Sequence, residues 1–522
     1  MVRAAAGILM SPPPMAPYVT ANPFGANFPS IGVNTSGTAI SALNAVSPGP
    51  PPGGCSNATK CGTFDWSGNP MFPGNQTPLV IFPGTPGETA GTYTGFSCTP
   101  TGANLPGPCP VIGVDPNFKQ PFSAQWNLDV QRAITSKLTV DVAYVGNHGY
   151  REEFNTDLNQ PALGAGYDQA TINACLKSQP VYNKCKPAGP EVGQYAATFP
   201  YISGIDAVSN GQFSNYDALQ VTAQGRAYHG LSFLSGYTYS HALGEASASS
   251  GQGGATIPSD KTNLRLNYGN LNIDLRHRFT FSPTYDIPGM KSPAQMLEGW
   301  SISAILVVQG GLAWNPSDSK STDWLGEGEN VSNGNISGIN QYWNYSGPRS
   351  AFDNTGPNPI PCFNGVSGKE KGCSTLAAAP AAIQSGCMNA AVAPYGSSPQ
   401  LQALAVAALA NGTCYTQGGG YLTPPAYGTL GDATAGLFTG PVYRNVDFSV
   451  AKLWKVKERY SAQFRVDFFN LFNRADFAGP GTDPSKGLNG GFGYATSTPD
   501  SSNPVLGSGG PRHVQFGLKL TF

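Results

Sequence analysis

The sequence predicts an all-β protein: an antiparallel transmembrane β-barrel, of which about ten strands can be seen, with long extracellular loops. Three observations carry this prediction. Apolar and polar residues alternate along several segments, short and long connections alternate between those segments, and all ten cysteines fall in the long connections. Strands of about 9–11 tilted residues are long enough to cross a bilayer.

The composition favours strands and loops over helices. Charged residues make up 11% of the 522 residues, less than half of the roughly 25% usual in soluble domains. The chain has 66 Gly and 46 Pro residues, which weaken helices and favour turns. The net charge of −1 and the lack of a basic stripe argue against a nucleic-acid partner. No apolar run reaches the ~18 residues that a membrane-spanning helix needs.

Alternation with a period of two residues is the signature of a strand with one apolar face. It is clearest in "QWNLDVQR", "LTVDVAYVG", "RNVDFSVAK" and "YSAQFRVDFFNLF", and noisier at 217–228, 231–243, 275–285 and 300–315. A weak example opens the chain at 1–10, and "HVQFGLKLTF" closes it. A charge that faces lipid at mid-bilayer costs about 2–4 kcal/mol. The apolar side is therefore expected to face lipid, and the lumen is expected to receive the charged residues Asp129, Asp141, Arg465, Asp467 and Lys519.

The connections give the topology. Those after 132, 228, 285 and 454 are short, and those after 10, 150, 243, 315 and 472 are long. Transmembrane barrels have short periplasmic turns and long outer loops, which predicts an outer-membrane location with the C-terminus in the periplasm. The predicted organisation is a leading strand at 1–10, a Pro/Gly-rich outer loop at 11–121, and barrel from 122 to 522 with outer loops 151–215, 244–274, 316–443 and 473–511.

The cysteines occur as an even number in local pairs, which is typical of disulfides in an oxidising compartment. Unpaired loop thiols are the alternative, and the sequence leaves the connectivity open. No CxxC spacing supports zinc. The residues expected to form loop disulfides are Cys55, Cys61, Cys98, Cys109, Cys175, Cys185, Cys362, Cys373, Cys387 and Cys414.

No catalytic motif, cofactor site or metal site is predicted. The carboxylates of "DWLGEGEN" (Asp323, Glu327 and Glu329) lack the spacing of a calcium loop. In "GINQYWNYSGP", Tyr342, Trp343 and Tyr345 are expected to be exposed rings that a glycan or peptide ligand could stack on. The alternative is that these rings pack a loop over the barrel mouth. A short packing helix is expected at "LQALAVAALA".

Four segments together resemble the barrel of Oar-like TonB-dependent transporters: "DPNFKQPFSAQWNLDVQRAITSKLTVDVAYVGNHG", "NIDLRHRFTFSPTYDIP", "RNVDFSVAKLWKVKERYSAQFRVDFFNLFNRADF" and "QFGLKLTF". The resemblance covers roughly 115–522 and, more faintly, 1–10. It implies a transporter or receptor for an unknown substrate in the outer membrane, in contact with lipid. It also implies that the barrel-assembly machinery recognises a C-terminal signal made of Phe516, Leu518, Leu520 and Phe522.

The sequence departs from this family at its start. Complete members carry a signal peptide, a plug domain that contacts the TonB complex, and a barrel of about 22 strands. The expectation is therefore a C-terminal barrel portion that lacks the plug and is not an enzyme. A passive porin-like channel and a secreted, disulfide-stapled β-sandwich adhesin are the two alternatives. The sequence does not identify the substrate.

Overall fold

The computed structural model describes residues 1–10, 109–115, 117–158, 202–245, 260, 263–318, 324, 341–353, 355–365, 370–433, 435–456, 460–499 and 509–522. Ten of its strands form one continuous antiparallel path in a single sheet, which confirms the predicted fold class. In chain order they are β1 (Val2–Met10), β2 (Phe122–Thr135), β3 (Leu138–Asp157), β4 (Ile202–Tyr228), β5 (Leu231–Gly244), β6 (His277–Asp286), β7 (Trp300–Gln309), β8 (Tyr443–Val456), β9 (Tyr460–Phe469) and β10 (His513–Thr521).

Each of these strands pairs with its sequence neighbours along the path, so the connections that were predicted to be short are hairpin turns. The β4–β5 turn consists of His229 and Gly230, both with positive φ (50° and 87°). Two successive residues with positive φ give a turn whose twist matches that of the flanking strands. Within the described residues, β1 and β10 each pair with one neighbour only, so the sheet is open at both edges.

The register aligns the apolar side chains of all ten strands on one face. Val130, Val142, Val221 and Tyr237 occupy one row across β2 to β5, and Phe448, Phe468 and Val514 occupy another across β8 to β10. Most of these side chains are exposed rather than packed against other protein. Monomeric soluble proteins rarely expose so continuous an apolar surface, so this face requires an apolar environment.

The opposite face is polar and carries charged residues, some of them in ion pairs. Arg3 lies 3.6 Å from Asp129 across β1 and β2, and Arg465 lies 2.7 Å from Asp467 on β9. The amide of Gln131 donates to Asp141 at 3.3 Å. Lys519 pairs in register with Gln463 on the same face. The five charged residues predicted to avoid the apolar side therefore do so.

Two strands are longer than predicted, and a third strand was missed. β3 continues to Asp157 and β4 begins at Ile202, so both extend into the predicted loop 151–215. The ladder continues there through a bulge beside Arg151, whose φ is 55°, and this irregularity breaks the alternation that the prediction used. The strand Cys109–Val114 pairs in parallel with the start of β4, so the expectation that no cysteine lies in a strand is wrong for Cys109.

The short turn between β6 and β7 is fixed to β8 by polar contacts. Gln295 donates from its side chain to the carbonyl of Lys455 at 2.6 Å and accepts from the Lys455 amide at 2.9 Å. None of the helices in the described part of the chain has the length and apolar character needed to span a membrane.

Candidate functional site

Between β7 and β8 the described residues fold into a compact unit, which we call the cap (the described residues between 313 and 439). Its ends are paired, since Ala313–Trp314 runs antiparallel to Phe438–Thr439. Its main element is a five-stranded sheet. In spatial order the strands of that sheet are Asn344–Ser346, Gly420–Thr423, Thr413–Gln417, Cys362–Asn364 and Ser374–Thr375.

Two disulfides cross-link the cap and join four of the cysteines that were expected to form loop disulfides. Cys362 bonds to Cys373, and Cys387 bonds to Cys414. The second bond ties helix α1 (Ala381–Val392) to the central strand of the cap sheet. Both Cys362 and Cys414 lie on strands, where irregular loops were expected. Outside the described residues lie Cys55, Cys61, Cys98, Cys175 and Cys185.

Helix α2 (Pro399–Asn411) confirms the helix predicted at "LQALAVAALA". The side chain of Ser398 accepts from the Leu401 amide at 3.4 Å, and Pro399 occupies the first turn. Ser at the N-cap and Pro in the first turn are both favourable, because the first amides of a helix have no partner within the helix. Leu404 and Ala408 turn inward from α2 into the core of the cap.

The cap core is aromatic, and this corrects one expectation. Tyr342 and Trp343, expected to be exposed for stacking, are only 4% and 2% exposed. The Trp343 ring packs 6.3 Å from Trp324 and 5.8 Å from Tyr415. The reason is that rings from other segments of the cap cover this one, while Gln341–Tyr342 pairs with Ser317–Asp318.

The third predicted ring, Tyr345, is half-buried. It packs edge-on against Phe438 at 5.0 Å and donates from its hydroxyl to the carbonyl of Pro348. Burial raises the pKa of Tyr342 to about 12. Burial, followed by the nearby Asp353 carboxylate, also raises the pKa of Tyr345 to about 12. These rings therefore mainly serve packing, although Tyr342 also reaches the cleft described next.

A cleft of about 320 Å³ lies where the cap meets the end of β5. Asn270 fixes this junction: its amide donates to the Gly436 carbonyl at 2.8 Å, and its oxygen lies 2.9 Å from Nε2 of His241. The Asn315 oxygen accepts from the Gly436 amide at 3.1 Å. Asn267 donates to the Tyr342 hydroxyl at 3.3 Å. The cleft is thus walled by the cap on one side and by the strand end on the other.

The chemistry of the cleft is mostly neutral. Its lining includes four asparagines, Ser317, Thr482 and the rings of Trp314 and Tyr342, and none of the described lining residues is cationic. The one carboxyl is that of Glu245, whose pKa is raised above its ordinary value mainly by burial. The indole Nε1 of Trp314 is buried without a hydrogen-bond partner, which is uncommon for a buried donor. Sequence reasoning missed this cleft, because its residues come from six separate segments.

No group of three or more His, Cys, Asp or Glu side chains that could hold a metal ion occurs in the described part of the chain. The carboxylates Asp323, Glu327 and Glu329 lie outside the described residues. The candidate site is therefore a binding cleft with the groups for hydrogen bonding and stacking.

Residues 1–515 match the model of a family described as an outer membrane beta barrel domain. The chain belongs to this family of outer membrane β-barrel domains. None of the curated protein sequences matches it.

Among solved structures, this outer membrane β-barrel chain is similar to three receptors and transporters. The first is the ferripyoverdine receptor of Pseudomonas aeruginosa bound to ferripyoverdine, at 10% identity and a TM-score of 0.29, with 78% of this chain and 28% of that chain covered. The second is the outer membrane transporter YddB of Escherichia coli, at 8% identity and a TM-score of 0.32, with 79% of this chain and 34% of that chain covered. The third is BauA, the ferric preacinetobactin receptor of Acinetobacter baumannii, at 8% identity and a TM-score of 0.30, with 78% of this chain and 30% of that chain covered. The match spans about a third of the length of these proteins. Because these similarities are too low to carry an argument, the family assignment rests on the sequence match.

In an outer membrane β-barrel the exposed apolar face lies against lipid. Near the C-terminal end of β8 a cation, Lys452, lies on that face. It is 1% exposed and donates to the carbonyls of Gln295 and Glu298 in the β6–β7 turn. Its ammonium lies 5.5 Å from the Trp300 ring centroid and 5.2 Å from that of Trp454. Tryptophans of this kind are typical of the membrane interface, so this cluster marks one edge of the lipid-facing band.

The C-terminal residues predicted as an assembly signal share this apolar face. Phe516, Leu518 and Leu520 pair in register with Val466, Phe464 and Ala462 of β9. The four residues of the predicted signal are all exposed, and Phe522 is the most exposed of them at 95%. Their position suits a lipid-facing surface, and their role as a signal stays a prediction.

Proposed function

We propose that the chain is the barrel portion of a TonB-dependent outer-membrane receptor that captures an extracellular ligand beneath the cap. The observation that carries the proposal is the cleft between the cap and the end of β5. In the orientation that we propose, this cleft lies at the extracellular ends of the strands. The resemblance to Oar-like transporters adds the coupling to TonB through a plug. In this proposal the long connections are extracellular and the C-terminus is periplasmic.

The cap favours a receptor over a passive channel. A channel needs an unobstructed mouth, whereas the cap is a folded unit with two disulfides that is hydrogen-bonded to the strand ends. Such a rigid unit supports selective binding, because a preorganised site loses little conformational entropy when a ligand binds.

The lining of the cleft favours a neutral, polar ligand such as an oligosaccharide or a short peptide. Amide and hydroxyl groups both donate and accept hydrogen bonds, and an indole ring offers an apolar face to a sugar or peptide. The lack of a cationic side chain in the described lining argues against a strongly anionic ligand.

Orientation is tested by inserting an epitope between Gly418 and Gly419, an exposed turn with positive φ at both residues. We expect an antibody to label intact cells that express the natural full-length protein with this insertion. Labelling that requires permeabilised cells would contradict the proposed orientation. An epitope in the β4–β5 turn after Gly230 is the control, and it is expected to be silent in intact cells.

Conductance across planar lipid bilayers tests whether the protein is an open channel. Quenching of tryptophan fluorescence tests ligand binding, with maltoheptaose and an uncharged heptapeptide as the two probes. A receptor is expected to give no steady conductance and to bind at least one of the two probes. Trp314→Phe keeps an aromatic side chain but removes the Nε1 donor, and it should weaken that binding about fivefold, since a neutral hydrogen bond contributes about 1 kcal/mol. Steady large conductance would instead favour the porin-like channel.

A further inference from the structure

A second cleft, of about 430 Å³, lies at the opposite end of β8 from the Lys452 cluster and contains two arginines. Arg444 is the first apolar-face position of β8, where it pairs in register with Val308 of β7. Arg474 and the partly exposed ring of Phe477 come from the connection that follows β9. The cleft is therefore open at the outer surface of the sheet.

Its position relative to the lipid-facing band follows from the register. Arg444 and Lys452 lie on the same face of β8, separated by Val446, Phe448 and Val450. Eight residues at about 3.3 Å each span roughly 27 Å along the strand, or about 20 Å along the membrane normal at the usual tilt. The lipid-facing band of such barrels is about 25 Å tall. The two cations therefore lie at the two boundaries of the band.

The cleft carries an excess of positive charge. Its one described carboxylate, Asp476, is buried and lies 3.9 Å from Nε of Arg474. The same oxygen of Asp476 accepts from the backbone amide of Arg444 at 3.1 Å. The guanidinium of Arg444 makes no ion pair within the described residues and is exposed. The described lining thus holds two guanidinium groups and one carboxylate.

The connection beside the cleft contains a further arginine, Arg512, and an exposed aromatic residue, Phe472. Arg512 begins the return into β10 and is held by the Asn473 side chain, which accepts from its backbone amide at 3.0 Å. Phe472, next to it, is a strongly exposed aromatic residue. The rim of the cleft thus combines arginines with the exposed ring of Phe472 and the partly exposed ring of Phe477. This combination suits a ligand that has an anionic headgroup and an apolar tail.

We propose that the cleft of Arg444 and Arg474 binds a phosphate group carried by a glycolipid of the outer leaflet. Arginine is the side chain best suited to this role, because its planar guanidinium donates two parallel hydrogen bonds to phosphate. The membrane boundary is the depth at which the headgroup phosphates of a lipid lie. This inference rests on the orientation proposed above, which makes this boundary the extracellular one.

The test measures binding of bisphosphorylated lipid A to the natural full-length protein in detergent, by native mass spectrometry. Dephosphorylated lipid A and inorganic phosphate are the comparison ligands. The principal variant is R444Q/R474Q, and R444K/R474K retains the charge without the paired hydrogen bonds. Arg278→Gln is the matched control, because Arg278 is an exposed arginine on the polar face of β6. Each variant is first checked for heat-dependent electrophoretic migration.

We expect the natural protein to bind bisphosphorylated lipid A at least about tenfold more tightly than the dephosphorylated form, since each interfacial arginine contributes about 1 kcal/mol. R444Q/R474Q should lose this preference, R444K/R474K should retain part of it, and Arg278→Gln should keep it. An unchanged preference in R444Q/R474Q, or a loss in Arg278→Gln equal to that in R444Q/R474Q, would overturn the proposal. If R444Q/R474Q does not fold, a fully retained preference in R444K/R474K would overturn it. Inorganic phosphate that binds as tightly as lipid A would assign the cleft to free phosphate instead.

The lipid A binding test and the test of the proposed orientation can fail independently of each other. Binding is measured on purified protein, so it does not depend on orientation, whereas the epitope test reports orientation alone. If lipid A binds but the epitope at Gly418 is silent on intact cells, the cleft binds phosphate but the outer-leaflet assignment is wrong. If the epitope is labelled and lipid A does not bind, the receptor proposal stands and this inference fails.

Discussion

Replacing Lys452 by methionine tests whether the buried cation stabilises the membrane boundary. Methionine keeps most of the length and apolar character of the side chain but removes its charge. In the natural protein the ammonium donates to the carbonyls of Gln295 and Glu298 and lies between the rings of Trp300 and Trp454. The variant removes these contacts without adding bulk to the apolar face.

The expected cost follows from these contacts. A hydrogen bond from a charged donor contributes about 1.5–3 kcal/mol, and a cation over an aromatic ring contributes about 0.5–2 kcal/mol. Removal of the charge also relieves a desolvation penalty, which near the membrane interface is about 0–1 kcal/mol. Because the contacts share one ammonium, they do not add fully, and we expect a net loss of about 3 kcal/mol. This loss is about a hundredfold in the unfolding equilibrium.

The assay is urea-induced unfolding of the protein in lipid vesicles, followed by tryptophan fluorescence. Lys455→Met is the matched control, because Lys455 lies on the same strand but is exposed and uses only its backbone atoms to contact Gln295. The control should change the unfolding free energy by less than about 0.5 kcal/mol. A Lys452→Met variant as stable as the control would refute the reasoning. It would mean that the desolvation penalty of the buried charge cancels its contacts.

Three further predictions concern the cap. The double variant C387A/C414A should destabilise the cap by about 3.5 kcal/mol from the entropy of a loop of 27 residues, seen as faster proteolysis of the cap with unchanged heat-dependent migration of the barrel. Phe352→Ala, at a fully buried ring, should cost about 3–5 kcal/mol in the same proteolysis assay, and an unchanged rate would contradict the packing described. Since burial raises the pKa of Tyr342 and Tyr345 to about 12, against about 10 in the unfolded chain, the stability that the protonated phenols contribute is complete below about pH 10 and is lost as the pH rises through about 12. Burial also raises the pKa of Tyr415 and Tyr427. Absorbance at about 295 nm should therefore show a late-ionising group of phenols that includes Tyr342 and Tyr345, and a single transition near pH 10 would contradict their burial.

The ten barrel strands could be predicted because their information is local. In Leu138–Tyr144 each side chain faces a constant environment, so the period of two residues is visible in the sequence itself. Beyond Tyr150 the bulge at Arg151 shifts the register and the alternation ends, although the ladder continues. Prediction from periodicity fails where the backbone is irregular rather than where the strand stops.

The two boundary cations could have been found by the same alternation. Arg444 and Lys452 continue the apolar-face positions of Val446, Phe448 and Val450 at either end. A charge at an apolar-face position is tolerated only near the edge of the band. The positions of these two residues in the sequence therefore indicate which part of β8 lies within the lipid-facing band.

The cap could not be predicted in the same way, because its core is made of contacts that are distant in sequence. Trp324 packs on Tyr427, about a hundred residues away, and Trp343 packs on Tyr415. A local reading of "QYWNY" assigns those rings to the surface, since nothing nearby could cover them. The helix α2 was found because its signals, Ser398 and Pro399, are local. The cleft was missed because residues such as Asn270 and Tyr342 meet only in the folded protein.

The same long-range contacts bear on how the barrel strands find their partners. β7 and β8 pair although about 130 residues separate Gln309 from Tyr443. The cap closes this separation itself, because Ala313–Trp314 pairs with Phe438–Thr439 and the Gly440 amide donates to the Leu312 carbonyl at 2.8 Å. Once the cap is folded, the connection between the two strands behaves as a short loop of about six residues. Loop-closure entropy grows with the logarithm of loop length, so this shortening lowers the cost of pairing by about 3 kcal/mol. The cap thus has two consequences for the fold, since it covers one end of the sheet and also holds together the two strands that it separates in sequence.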